Sequence, residues 1–306
     1  MREIIINTND AGQRLDKFLS KFMPSLPKSM LYKSLRKNCV KINDKHIKTG
    51  DYMLCDGDNL KLYFKDEFFR TETKSIDFGV PLQEDCIIYE DENIIVIDKP
   101  SGLVVHTDDE GEKNTLVNML RSYLYAKGEY NPENEHSFSP ALCNRLDKNT
   151  SGLVIAAKNA PALRIINEKI KLREINKFYI CAVEGHPEKE GVYEAHLVRE
   201  EKKVKISDHP VPDSKPIKTG FKVIKYYDDY TLLEIELFTG RTHQIRAHMA
   251  HLGYPLCGDV KYGAKTRRHD YQALQSYKLK LDFAENTDML GYLAGREFIS
   301  KIEFGH

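Results

Sequence analysis

The chain has 306 residues, 41% hydrophobic and 10% aromatic, which is enough for a packed core and excludes a wholly disordered chain. Its 46 basic and 46 acidic side chains cancel, so there is no global pull toward nucleic acid, and no apolar run approaches the ~18 residues of a membrane span. Met1 to Asn7 turns polar too soon for a signal peptide, and six cysteines scattered without a Cys-x-x-Cys pair point to free thiols in a reducing cytoplasm, not to zinc or disulfides.

Charge is unevenly spread. From Arg14 to Lys48 there are ten basic side chains against two acidic ones, a local excess of the kind that meets phosphates. The competing reading is a solvated face on a small domain. Within this stretch Leu15, Phe18, Leu19 and Phe22 recur at i, i+3, i+4 and i+7 and predict an amphipathic helix. Pro24 and Pro27 end it, and Pro27 fits the first position of a second helix with Met30, Leu31 and Leu35 on its apolar stripe. Val40 to Ile47, with Asn43-Asp44 as a turn, and Leu60 to Phe64 predict a small β-element. Arg14-Leu15-Asp16, Ser29 at the second helix and Val40-Lys41-Ile42-Asn43-Asp44 resemble the S-four-like RNA-binding domain, with Met30 where relatives have Arg. The resemblance implies a domain over residues 1–65 that binds structured RNA, with Lys28, Lys33, Arg36 and Lys37 on phosphates. Residues 66–83 mix charge, Thr, Gly and Pro and read as a linker.

From residue 84 onward β-signals dominate. Ile87 to Tyr89 and Ile94 to Asp98 flank a polar turn and predict a hairpin, with Lys99-Pro100-Ser101-Gly102 as a breaker. Helices are expected at Thr115 to Tyr125 and Ala160 to Glu174, and a mobile polar loop at Lys127 to Ser139. Lys177 to Val183 reads as a strand, Phe221 to Tyr227 and Tyr230 to Phe238 as a hairpin, Thr242 to Leu252 as a helix between Gly240 and Gly253, and Leu279 to Phe283 as a strand. Strands and helices that do not alternate in βαβ rhythm predict an α+β fold with a mixed, largely antiparallel sheet, flanking helices and the small N-terminal α/β unit.

The chemistry centres on Asn144-Arg145-Leu146-Asp147-Lys148-Asn149-Thr150-Ser151-Gly152, a polar run feeding the apolar strand Leu153 to Ala157. Asp147, held by Thr150 and Ser151 hydroxyls or by a cation, could be a nucleophile or a base; the alternative is an ordinary Asx turn. The histidines at 243, 248 and 251 have spacings of five and three, not the four of a helical metal pair, and His243 and His248 would lie ~140° apart.

The Arg-Leu-Asp run resembles the catalytic loop of the RluA-type pseudouridine synthases. Gly240-Arg241-Thr242-His243-Gln244-Ile245-Arg246-Ala247-His248 and its continuation through Pro255, Gly258, Asp259, Tyr262 and Gly263 match that family closely. So do the strand Lys177 to Gly185, with Cys181-Ala182 shifting the usual small residue, and the opening hairpin Ile94 to His106. Asn144 stands where many relatives have His. The matches span residues 84–285 and imply a catalytic domain over 84–306. They imply Asp147 as the catalytic aspartate, Arg246 as its ion-pair partner through a planar fork, and Tyr179 stacked on the target base. They also imply Arg145 filling the gap left by the flipped base, and Lys99 on phosphate. The expected activity is isomerisation of uridine to pseudouridine in large-subunit ribosomal RNA, with no metal and no cofactor, by a monomer not attached to a membrane. The competing readings are a synthase acting on transfer RNA, a non-catalytic RNA-binding assembly factor, and a glycosidase with Asp259 as second acid.

Overall fold

Leu15, Phe18 and Leu19 occupy one helical face and are wholly buried, the outcome their spacing dictates. The computed structural model describes residues 1–69, 78–106, 114–201, 203–266, 269–284 and 289–305; positions 70–77 of the expected linker lie outside these. The chain forms two compact units, one of Met1–Leu82, Val117–Ala141 and Ala157–Arg164, the other of Gln83–Leu116, Leu142–Ala156 and Ile165–His306.

In the first unit β1 (Arg2–Ile5), α1 (Leu15–Phe22), α2 (Lys28–Arg36), β2 (Val40–Ile42), β3 (Lys45–His46) and β4 (Asn59–Leu62) follow in order. The strands pair antiparallel as β1-β4-β2-β3. Asn43 and Asp44 at φ 50° and 64° turn β2 into β3, the two left-handed residues that a tight hairpin needs. Pro27 caps α2 from just outside, one residue earlier than expected, and its carbonyl accepts from Leu31 N at 2.9 Å. Leu31 and Leu35 join α1 over Val40, Ile42, Leu60 and Leu62. The Asp16 carboxylate accepts from Arg14 Nε and Nη2 at 3.1 and 2.8 Å and from the Tyr32 hydroxyl at 2.9 Å, so the Arg-Leu-Asp run ties α1 to α2.

The polar stretch expected as a mobile loop, 127–139, has defined partners in the same unit. Asp10 is fully buried and its carboxylate accepts from Ser137 Oγ at 2.6 Å and pairs with His136 Nδ1 at 2.9 Å. Asn9 donates to Glu135 at 2.8 Å and accepts from Ala160 N at 2.9 Å. His136 also stands edge-on to Phe18 and Phe22.

The elements after residue 82 are β5 (Ile87–Glu90), β6 (Ile94–Lys99), α3 (Leu116–Ala126), β7 (Ala141–Leu142), β8 (Ser151–Ala157), α4 (Ala160–Leu172), β9 (Ile175–Glu184), β10 (Gly191–Arg199), β11 (Val204–Ser207), β12 (Lys215–Tyr226), β13 (Tyr230–Leu237), α5 (Gln244–His251), β14 (Leu274–Leu281) and β15 (Glu297–Ile299). The main sheet runs β11-β10-β12-β13-β9-β14-β8-β6-β5, with β15 on β14 and β7 on β8. β8 meets β14 in parallel, while β10–β11, β10–β12, β12–β13, β13–β9, β9–β14 and β5–β6 are antiparallel. This is the mixed, largely antiparallel α+β sheet the sequence predicts. Gly152 sits opposite Ser276 at φ 106°, and a Cβ there would overlap the Ser276 backbone. Only glycine lets β8 approach β14 so closely, so the Gly of the polar run sets where β8 begins.

Asp10→Ala should leave Ser137 and His136 without their acceptor and lower the unfolding free energy by about 1–3 kcal/mol. Urea denaturation checks this; an unchanged midpoint would mean that the 135–137 contacts do not hold the unit.

Candidate active site

Strand register brings the site together. Ser276 on β14 is opposite Tyr179 on β9 on one side and Gly152 on β8 on the other. Tyr179 and the start of β8 are therefore two strand spacings apart, roughly 10 Å. The loop entering β8 carries Asp147, whose carbonyl accepts from Thr150 N at 3.0 Å to close a tight turn. The backbone does turn here, but through the Asp147 carbonyl and not, as an Asx turn requires, through its carboxylate. The Thr150 hydroxyl accepts from Gln272 Nε2 at 3.3 Å, and the Asp147 carboxylate has a cation as its partner. Asn144 accepts from Ile155 N at 2.8 Å and donates to the Leu153 carbonyl at 3.3 Å, which ties the loop back onto β8.

Arg246 comes from α5, whose start is pinned by Gln244. The Gln244 amide donates to Thr219 Oγ1 at 3.0 Å and to the Lys218 carbonyl at 3.2 Å, and its carbonyl accepts from Thr239 Oγ1 at 2.9 Å and Arg241 N at 3.1 Å. The helix begins two residues later than expected because His243 adopts φ 54°, an uncommon left-handed conformation for a residue with a side chain. Arg246 Nη1 donates to Asp147 Oδ2 at 2.9 Å. Its forked edge faces elsewhere: Nε and Nη2 reach Asp259 Oδ2 and Oδ1 at 2.7 and 2.9 Å. The expected fork on Asp147 is corrected to a single bond, because Asp259 occupies the planar edge. Asp259 lies beyond the guanidinium and lines neither cavity beside Asp147, contrary to the arrangement a carboxylate-pair glycosidase needs.

Burial alone would weaken the Arg246 cation, but Asp259 and then Asp147 more than reverse this, and its pKa rises above the ordinary value. His243 Nε2 is 3.7 Å from Asp147 Oδ2, and its Nδ1 pairs with the Tyr262 hydroxyl at 2.9 Å. Burial lowers the His243 pKa, so at neutral pH it adds no second cation. The sequence offers His243 as a metal ligand or as a polar surface histidine. Its placement just ahead of the buried Gln244-Ile245-Arg246 face was the signal that it borders the site. The other two histidines go elsewhere, His248 Nδ1 to Thr219 Oγ1 at 3.0 Å and His251 Nε2 to Asp208 at 2.7 Å. Among the described residues no cluster of His, Cys, Asp and Glu could hold a metal ion.

Two cavities adjoin Asp147. One, of about 270 Å³, is lined by Asp147, Tyr179, Lys177, Ile170, Leu237 and Leu274; the other, of about 330 Å³, by Val104, Val105, His106, Lys148 and Gln272. Arg145, Asp147, His243 and Arg246 border both. Tyr179 is 5% exposed, and burial, with the nearby Asp147 charge, pushes its phenol up to about 12, so it stays protonated at neutral pH. Arg145 is exposed. Lys28, Lys33, Arg36 and Lys37 are exposed on or just beyond α2 in the first unit.

Lys99 departs from expectation. It is fully buried, and its ammonium donates to the carbonyls of Pro100, Leu103 and Lys148 at 3.0, 2.9 and 2.9 Å. All three donors are used inside the protein, so no phosphate contact is open to it. It instead clasps the loop beside Asp147, helped by Gly102 N to the Lys148 carbonyl at 3.0 Å and Ser101 Oγ to the Asn149 carbonyl at 2.9 Å. Burial, opposed by Asp147, lowers its pKa from 10.5 to about 8. A lowered folded-state pKa means that the unfolded chain binds more protons between these values. Stability from Lys99 is therefore complete above pH 10.5 and is lost as pH falls through 8. Relative to Lys99→Met, the native protein should gain roughly 3 kcal/mol between those pH values, as read by urea unfolding. A difference that stays flat across that range would contradict the burial of a charged amine.

The RNA pseudouridylate synthase family matches residues 93–251. The chain is 32% identical to "Ribosomal large subunit pseudouridine synthase C" of Yersinia pestis over 292 residues, covering 92% of this chain and 85% of the relative. It is 34% identical to "Ribosomal large subunit pseudouridine synthase D" of Haemophilus influenzae over 263 residues, covering 86% and 76%. The solved structure "Human RNA Pseudouridylate Synthase Domain Containing 4" shares the fold, with a TM-score of 0.56 at 22% identity over 72% of this chain and 89% of that one. The chain belongs to the RNA pseudouridylate synthase family and is an enzyme that isomerises uridine to pseudouridine in RNA.

Proposed function

We propose that the enzyme modifies specific uridines of large-subunit ribosomal RNA in the cytoplasm, as a monomer, with Asp147 as its catalytic carboxylate. The RNA class rests on the names of relatives that match most of the chain. The observation that carries the catalytic assignment is the asymmetry of Asp147. Its Oδ2 is held by Arg246, while no described side chain or backbone donor bonds its Oδ1, and the residue borders both cavities.

In the reaction the N1–C1′ bond breaks, the base turns, and a C5–C1′ bond forms. N1 ends protonated and C5 gives up its proton. A uridine inside a structured RNA must first be exposed, at a cost of a few kcal/mol offset by stacking and phosphate contacts. Tyr179 stacks on the exposed base and serves in proton transfer, beside the apolar wall of Ile170, Leu237 and Leu274. Arg145, exposed at the mouth of both cavities, fills the space the base leaves. Asp147 meets the uridine with its open oxygen while Arg246 holds the other.

Residues 1–65 act as the S-four-like domain, residues 66–83 join it to the catalytic domain at 84–306, and α2 places Lys28, Lys33, Arg36 and Lys37 on RNA phosphates. These four have no ion-pair partner among the described residues, so they are free to replace counterions. Changing all four to Gln should reduce the salt slope of RNA binding by about 3, with turnover at saturating RNA nearly unchanged. Filter binding across a salt series reads this, and an unaltered slope would remove α2 from the interface.

Asp147→Asn is nearly isosteric, so the folded protein should persist and bind RNA. An amide is neither a useful nucleophile nor a base, and each ~1.4 kcal/mol of lost transition-state stabilisation is tenfold in rate. Tritium release from C5-labelled uridine in ribosomal RNA should therefore fall by many orders of magnitude. Near-native release by a folded, RNA-binding Asp147→Asn protein would overturn the assignment.

A further inference from the structure

A guanidinium that faces a single carboxylate is best satisfied by a bidentate fork, which occupies both carboxylate oxygens. Arg246 does not meet Asp147 in that way. Its fork lies on Asp259, which is 2% exposed, and only Nη1 reaches Asp147. Of the two carboxylates that share the guanidinium, only Asp147 borders the cavities.

Asp259 is rigidly mounted for this. Gly258 at φ 76° precedes it, where a Cβ would overlap the Tyr271 carbonyl. Asp259 N donates to the Leu256 carbonyl at 3.0 Å, and the Asp259 carbonyl accepts from Tyr262 N at 3.0 Å and Ala264 N at 3.2 Å. The same turn sets the Tyr262 ring 5.2 Å from the guanidinium carbon. A carboxylate fixed in this way competes for the forked edge of Arg246 and leaves Asp147 with one bond.

We infer that Asp259 is a positioning residue: it engages the fork of Arg246 so that Asp147 is held through one oxygen and offers the other to the RNA. Without it the guanidinium is free to turn and cover both oxygens of Asp147. This rests on the reading of Asp147 as the catalytic carboxylate.

The test measures kcat and KM by tritium release from C5-labelled large-subunit RNA transcript, per folded molecule, for Asp259→Asn and Asp259→Glu in native and Arg246→Lys backgrounds. Asp259→Asn should lower kcat at least tenfold with KM changed less than threefold. Asp259→Glu, which keeps the charge and both acceptors, should be more active than the isosteric Asn. In the Arg246→Lys enzyme, which has no fork, Asp259→Asn should cost less than threefold more. A loss in kcat under tenfold, a defect carried by KM, an Asn variant as active as Glu, or fully additive losses would each overturn the inference. A second measurement leaves position 259 intact. In Asp147→Asn protein the Arg246 Nε–H, followed by NMR, should stay protected from solvent exchange; loss of protection would place the fork on Asp147 instead. An Asp147→Asn protein with native turnover would remove the underlying reading. An inactive one, beside an unimpaired Asp259→Asn enzyme, would remove only the role of Asp259.

Discussion

One guanidinium between two carboxylates is the interaction on which the site depends. Arg246 is 8% exposed, and a charge so deeply placed is tolerated only when paired and hydrogen-bonded. Removing either partner of such a pair commonly costs about 3–5 kcal/mol, since the charge left behind stays buried. The surrounding structure therefore has to deliver both carboxylates. Asp259 arrives on a turn forced tight by Gly258, and Asp147 on a loop clasped by Lys99, Ser101 and Gly102. The helix that carries Arg246 is locked to β12 through Gln244 and His248.

The sheet acts as the ruler for this arrangement. Adjacent strands are about 4.8 Å apart, so the order β9-β14-β8 sets the distance between Tyr179 and the loop of Asp147. β14 accomplishes this by pairing antiparallel on one side and parallel on the other, with Ser276 in the middle. Asp98, next to Lys99, anchors the other end of the region: its carboxylate accepts from Ser300 Oγ and from the backbone at Lys301 and Ile302. The opening hairpin is thus architectural, and its lysine serves the loop, not the RNA.

Local features were legible in the sequence where local physics decides them. The i, i+3, i+4 spacing in α1, the Asn43-Asp44 turn and the polar turns between β5 and β6 and between β12 and β13 all depend on near neighbours. β10 and β11 were not foreseen, because β11 is the edge strand, β10 lies next to it, and both carry charged residues such as Glu194, Arg199 and Lys205, which blur the apolar pattern. The parallel meeting of β8 and β14 joins residues more than 120 apart and leaves no local trace beyond Gly152. At the site, Asp147, Tyr179 and Arg246 were singled out because their motifs are specific, and the fold brings all three to one cavity. The direction of the fork was not, because it depends on a turn thirteen residues after Arg246 that sequence alone does not orient. Lys99 was misjudged for a related reason: a lysine beside a Pro-Ser-Gly breaker reads as exposed, whereas here the breaker folds its own carbonyls around the ammonium.

The central claim is that Asp147 meets a flipped uridine through its unbonded oxygen, in the cavity it shares with Tyr179. The most direct measurement is a crystal structure of the Asp147→Asn protein bound to a ribosomal RNA fragment that the native enzyme modifies. The account predicts the target uridine out of its helix, its base against Tyr179, and its sugar beside the position of Oδ1, with Arg246 still forked on residue 259. A uridine left stacked in the RNA, or one bound in a pocket that does not include residue 147, would contradict it.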